Sequence, residues 1–144
     1  MADSLPPKPP RPSPTALDRP YWEFLRCHEL RLQRCAACME FRFPASPICP
    51  ACRSAKFGWE RCSGQGEVFS WVVFHKSYFP SFNDKLPYNV AMIRLAEGPM
   101  FIADIVDLPL DRIRKGLPVE IVFDDSSIPD FTIARFRPRT RPQS

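Results

Sequence analysis

The apolar positions of this chain change their period as it proceeds, and each change predicts a new element. Tyr21, Phe24, Leu25 and His28 recur at helical spacing. Asp18 is placed to cap that helix, Pro20 suits its first turn and Glu23 the positive end of its dipole. The helical pattern ends near Glu29. Residues 30–34 then alternate as a short strand does, residues 41–43 do so again, and 57–62 read as a third short strand. After Gly64-Gln65-Gly66 the chain turns to β-branched and aromatic runs at 68–74, 88–95 and 100–106, with Glu97-Gly98-Pro99 as the turn between the last two. Residues 110–115 read as one or two helical turns stopped by Gly116, and 119–123 and 131–136 as two closing strands. Three strands, a short helix and two strands is the order of an OB-fold, a small, partly open barrel. An SH3-like barrel gives a similar pattern. The fold expected is therefore mainly β: an N-terminal helix, a region of short strands, then a five-stranded barrel.

The short strands frame the strongest chemical signal. Cys35-Ala-Ala-Cys38 is followed, ten residues on, by Cys49-Pro-Ala-Cys52. Two such pairs bring four thiolates to one ion from opposite sides, which makes 18–63 a helix plus a rubredoxin-like zinc ribbon. Four ligands close a tetrahedron and leave no position for substrate, so the metal is structural and supplies folding energy. Iron, which thiolates also hold, is one alternative, and two disulfides are another. Pro44, Pro47 and Pro50 stiffen the second loop. Knuckles of this kind favour glycine just after the second cysteine, where the backbone takes positive φ. Met39 and Arg53 stand there instead, at odds with ideal knuckle geometry.

Composition adds the ends of the chain. Residues 1–17 hold six of the 18 prolines and almost nothing apolar, which predicts a disordered or polyproline-like arm. Residues 139–144 form a basic tail behind the OB-fold domain at 64–138. No apolar run reaches the roughly 18 residues of a membrane span, and no secretory leader is visible, so a cytoplasmic protein is expected. The net charge of +4 leans on the two ends and permits an anionic partner without demanding one.

A catalytic set is hard to find. The two histidines, His28 and His75, have no Ser or Cys at motif spacing, and the five glycines form no phosphate loop. Cys27 and Cys62 lie outside the quartet and read as free, partly buried thiols. Asp124-Asp125 reads as a solvated turn. Binding fares better. Lys76, Tyr78, Phe79 and Phe82 put a cation and three aromatics into one long loop after His75, and Arg34 and Arg42 sit in the ribbon. Phosphates and an adenine ring want that mixture, while core packing or a protein interface would use the same aromatics. A single-stranded nucleic-acid-binding protein is the rival reading, since OB-folds and zinc ribbons both serve it. Against it, Glu67, Asp104, Asp107, Glu120, Asp124 and Asp125 scatter negative charge over the barrel.

Taken in order, Tyr21-Trp-Glu-Phe-Leu25, Leu32-Gln-Arg34-Cys35-x-x-Cys38, Cys49-Pro-x-Cys52, Gly66-Glu-Val-Phe-Ser-Trp71, Pro87-Tyr-Asn-Val90, Gly116-Leu-Pro-Val119-Glu and Phe136-Arg-Pro138 resemble the DUF35 family of acyl-CoA-associated zinc-ribbon/OB-fold proteins. The resemblance runs over about residues 20–138. It implies a small, non-catalytic accessory subunit beside a thiolase-like, ketosynthase-like or aldolase enzyme, or a hydratase. Such a subunit helps to hold or pass on acyl-CoA intermediates in lipid, polyketide or steroid side-chain metabolism.

Overall fold

The computed structural model describes residues 10–140. Most of the proline-rich arm (1–9) and of the basic tail (141–144) lies outside the described residues. Residues 10–15 have no regular structure yet are not detached, because the Arg11 guanidinium lies 5.5 Å from the Phe131 ring centroid and 3.8 Å from the Asp130 carboxylate.

Helix α1 (Arg19–Arg26) forms where the pattern placed it, but its ends differ from expectation. Asp18 makes no side-chain cap. Its carboxylate turns back instead and accepts from Thr15, N at 2.6 Å and Oγ1 at 3.0 Å. The helix stops in a Schellman arrangement: Glu29 N donates to Phe24 O and His28 N to Leu25 O. That closure needs a left-handed residue, and His28 takes it with φ of 60°. His28 is thereby removed from the buried face, which consists of Tyr21 and Leu25, with Trp22 packing edge-on against Phe131 at 5.6 Å.

Two antiparallel sheets follow. The first joins β1 (Arg31–Cys35), β2 (Phe41–Arg42) and β3 (Phe57–Arg61) in the order β2-β1-β3. The second joins β4 (Gln65–Phe74), β5 (Tyr88–Leu95), β6 (Met100–Ala103), β7 (Pro118–Ile128) and β8 (Phe131–Pro138) in the order β6-β5-β4-β7-β8. Its two edges meet just beyond β6: Ile105 bridges Phe136, Val106 N donates to Phe136 O at 2.7 Å, and Phe136 N to Asp104 O at 3.1 Å. The sheet is thus a nearly closed five-stranded barrel, an OB-fold. The buried Asn89 side chain reinforces the seam, its amide donating to Ile105 O at 2.9 Å and accepting from Ile105 N at 2.7 Å.

The helical piece between β6 and β7 is shorter than the sequence suggests. It is one 3₁₀ turn, Leu110–Arg112, because Ile113 takes extended angles and buries its side chain. Strand β7 is longer than expected. Asp124 and Asp125 lie within it, at an irregularity in its pairing with β8, and not in a solvated turn. Pairing with β8, visible only in three dimensions, carries the strand past them. Leu25, Leu30 and Leu32 from the helix and ribbon share one buried cluster with Val68, Ile93, Leu95, Val119 and Phe136 of the barrel. The ribbon is therefore fixed to the barrel by a common core. Cys62 is buried in that cluster, and burial pushes its thiol up to about 12, whereas Cys27 is exposed and not partly buried as the sequence suggested.

Candidate functional site

Two matching turns build a metal centre. Cys35 N donates to Glu40 O and Met39 N to Cys35 O; Cys49 N donates to Ser54 O and Arg53 N to Cys49 O, all between 2.8 and 3.0 Å. This geometry requires a left-handed residue at the fifth position of each turn, and Met39 (φ 67°) and Arg53 (φ 68°) adopt it. The knuckles are intact without glycine, at a steric cost of about 1–2 kcal/mol per residue. The four sulfur atoms lie within 4.8 Å of one another, with Cys35–Cys52 at 3.5 Å and Cys38–Cys49 at 3.6 Å. A tetrahedral ion with sulfur bonds of about 2.3 Å separates its ligands by about 3.8 Å, so the quartet has the right size for zinc or iron. Backbone amides aim at the sulfurs. The N–H of Cys38 holds the Cys35 thiol down at about 6, helped by that of Ala37, and the N–H of Cys52 lowers Cys49. The backbone amides of Glu40 and Ser54 act to lower Cys38 and Cys52, but burial and the neighbouring sulfurs outweigh them, raising Cys38 to about 12 and Cys52 as well. Thiolates are the form that binds metal. Cys35 and Cys49 are fully buried, Cys38 is half-buried and Cys52 is exposed, so the quartet sits at the edge of the ribbon.

The long loop at 76–86 contains a 3₁₀ turn, Pro80–Lys85, and packs on the outer wall of the barrel, where Tyr88, Val90, Ile133 and Arg135 alternate with the buried Asn89, Ala91, Thr132 and Ala134. Beneath it lies a cavity of about 500 Å³ lined by Phe74, Tyr78, Phe79, Phe82 and Tyr88, with Lys85, Asp104 and Arg135 among its polar groups. The rings brace one another: Phe74 stacks on Tyr88 at 5.1 Å, and Phe82 meets Phe79 at 5.7 Å and Tyr88 at 5.5 Å. Tyr78 is 65% exposed and Phe79 47%, so the aromatic wall faces outward as well as inward. Lys76 lies 5.7 Å above Tyr78, and Lys85 5.4 Å above Phe82. Arg135 is already engaged, its Nε bonded to Asp124 at 2.7 Å and its Nη1 to Asp104 at 2.8 Å. Burial works to raise the Asp124 carboxyl, but the bonds from Ser127 and Arg135 outweigh it and hold that group well below the usual carboxylate range.

The other residues singled out from sequence are dispersed. His75 and Lys76 are exposed at the start of the loop and do not line the cavity. Arg34 belongs to the ribbon, bonded to Glu60 at 2.8 Å and to Met39 O at 2.7 Å, and lies over Phe41. Arg42 is 4% exposed and faces a different, smaller cavity. His28 and Asp125 pair at 2.7 Å across 97 residues, with the imidazole stacked on Phe123. Thr132 Oγ1 donates to Asp125 and not to His28, so this pair activates no nucleophile.

An outward face of the barrel was missed from sequence. Ser70, Met92 and Ile102 lie side by side across β4, β5 and β6, as do Val72 and Val90, and Val72 and Ile102 are more than half exposed. The signal was available: every position from 68 to 74 except Ser70 is apolar, and a barrel strand with a solvated outer face should alternate. Phe69, set at the bulge in β4, lies under Arg94 at 4.9 Å and Lys115 at 5.4 Å.

Comparison with known proteins agrees with this architecture. The rubredoxin-like zinc ribbon domain of ChsH2 matches residues 22–58, and the C-terminal OB-fold domain of ChsH2 matches 59–124. A DUF35 domain-containing scaffold protein of Methanothermobacter thermautotrophicus is 36% identical over 97 residues, 67% of this chain and 72% of that one. The chain belongs to the DUF35 family. This DUF35 chain is also 36% identical over 134 residues, 92% of its own length, to a probable enoyl-CoA hydratase alpha subunit of Thermomonospora curvata, of which it spans only 41%. Among solved structures, it resembles a chain of the Ltp2-ChsH2(DUF35) aldolase with a TM-score of 0.80 and 34% identity, covering 89% of this chain and 98% of that one. Among the described residues of the DUF35 chain no helix is long and apolar enough to cross a membrane.

Proposed function

We propose that this DUF35 chain is a non-catalytic accessory subunit that binds an acyl-CoA enzyme of thiolase, aldolase or hydratase type and holds acyl-CoA intermediates against it. The observation that carries the reading is the cavity of about 500 Å³ under the aromatic loop, large enough for an acyl-pantetheine arm and open toward an apolar outer face. The relatives support the enzyme class, one being a probable enoyl-CoA hydratase alpha subunit and another a chain of the Ltp2-ChsH2(DUF35) aldolase. Tyr78, Phe79 and Phe82 contact the acyl-pantetheine or the partner, and Lys76 and Lys85 meet the CoA phosphates. The cavity's one lining serine among the described residues, Ser127, donates to Asp124 and has no His beside it, and Arg135 is shared between Asp104 and Asp124.

The cysteine quartet holds zinc. The ion would supply folding energy and fix the ribbon, and Cys35, Cys38, Cys49 and Cys52 would be its ligands.

The nucleic-acid reading has less support. Arg34, Arg135 and Arg137 are each paired with a carboxylate and Arg139 is bonded to Gln65. Among the described residues, the barrel cations that lie over aromatic rings without an ion pair are two pairs, Lys76 and Lys85 at the aromatic loop and Arg94 and Lys115 over Phe69, and not a continuous basic groove.

The test is a triple change of Tyr78, Phe79 and Phe82 to Ser, made after copurification and mass spectrometry have identified the partner. Zinc content and melting are checked first. The folded variant should lose partner binding or acyl-CoA binding at least tenfold. Wild-type association and activity in that variant would overturn the assignment of the loop, and thioester turnover by the isolated chain would overturn the non-catalytic reading.

A further inference from the structure

Arg42 is a buried cation, 4% exposed, that forms no ion pair among the described residues. Its Nε donates to Gln33 Oε1 at 3.0 Å, and its guanidinium lies over Phe57 at 4.7 Å. These contacts fix the plane of the group and leave both terminal nitrogens buried and unbonded. Gln33 is fully buried too. Its oxygen is identified by its neighbours, since Arg42 Nε–H and Ser46 N–H, the latter at 2.8 Å, can only donate. Gln33 Nε2 is therefore a donor, and it has no acceptor either. Asp18 lies at the same cavity, but it makes no bond to Arg42 or Gln33, and its Oδ1 is taken by Thr15.

Arg42 and Gln33 both line a cavity of about 100 Å³ between α1 and the ribbon, whose other walls include Tyr21, Trp22, Phe43 and Trp59. Three buried donor nitrogens there, Arg42 Nη1 and Nη2 and Gln33 Nε2, have no acceptor, and an unpaired buried charge costs several kcal/mol. The two terminal guanidinium nitrogens form a flat fork that matches the two oxygens of a carboxylate. The walls are apolar and the volume is far below the roughly 300–1,000 Å³ of sites that take nucleotide-sized molecules.

We propose that this cavity is a binding site for a carboxylate on a short apolar stem, held by Arg42 Nη1 and Nη2 and by Gln33 Nε2. It is separate from the aromatic cavity and does not depend on the function assigned there. The carboxylate belongs to a free short-chain acid or to an acidic side chain of a docked peptide.

The experiment titrates the intact, metal-loaded chain with sodium propionate, with N-acetylglutamic acid amide, and with sodium chloride and phosphate at matched ionic strength. The readouts are the Arg42 Nε–H and Gln33 side-chain amide signals by NMR, and tryptophan emission from Trp22 and Trp59. Saturable shifts with propionate alone identify a free acid, and shifts with the glutamate derivative alone identify a side chain. The melting temperature should rise by roughly 5–10 °C at one hundred times Kd. Arg42→Lys keeps the charge but loses the fork and should bind at least tenfold more weakly. If that variant does not fold, the wild-type titration still decides. No saturable shift with either carboxylate, or an equal response to chloride, would mean that the cavity holds only water and would overturn the proposal.

Discussion

Replacing Asn89 tests how the barrel is closed. Asn89 is 6% exposed on β5, and its side chain makes the two bonds to Ile105 that a neighbouring strand would otherwise make. Ile105 is itself 3% exposed, so its N–H and C=O cannot turn to water when the amide is removed. Asn89→Ala orphans one buried donor and one buried acceptor. At about 1–3 kcal/mol for each unsatisfied group, the loss should be roughly 2–6 kcal/mol. For a chain of this size that lowers the melting point by roughly 5–25 °C. The assay is urea unfolding with zinc present, read as the change in midpoint at constant slope. Asn89→Asp separates the two bonds. A carboxylate still accepts from Ile105 N but opposes Ile105 O, and burial raises its pKa above the unfolded value near 3.9. The penalty is then present at neutral pH and eases as pH falls through the raised pKa, when the acid regains a donor. A loss below about 0.5 kcal/mol for Asn89→Ala would refute the closure argument. So would an Asn89→Asp variant whose deficit does not change with pH.

Elemental analysis should find one zinc per chain, and Ser at any of Cys35, Cys38, Cys49 or Cys52 should loosen the ribbon and lower solubility; protein purified without zinc or iron would contradict this. Asp124 ionises at lower pH in the folded chain than in the unfolded one. Its contribution is therefore whole above about pH 5 and declines as pH falls. Arg135→Met, which leaves Asp124 and Asp104 unpaired, should cost about 2–3 kcal/mol at pH 7 and less at pH 3, measured by denaturation at both values. Gly66→Ala would set a methyl group 2.6 Å from Arg94 O and 2.9 Å from Ile93 Cγ2 between β4 and β5. It should destabilise by about 1–3 kcal/mol, and a neutral result in thermal melts would show that the strands yield there.

What the sequence by itself determined was local. Two cysteine pairs at knuckle spacing specify a tetrahedral thiolate site, because each turn needs only its own few residues. The switch from helical to strand periodicity located α1, the ribbon strands and all five barrel strands, since each element shows its buried face in its own period. The aromatic loop stood out by length and composition. The partnerships were decided elsewhere. Arg42 read as a candidate phosphate-binding residue of the ribbon and is buried, because β1, β2 and the helix enclose it. Asp124 and Asp125 looked like a solvated turn, yet one holds Arg135 and the other His28. The Schellman closure of α1 exposed His28, whose spacing had placed it on the buried face. Asn89 gave no sign that it would join the barrel edges. Each of these outcomes depends on residues from strands far apart in the chain, and a side chain's environment is set by which strands pair and where they meet. Local periodicity carries no information about that, so only the tertiary structure could decide it.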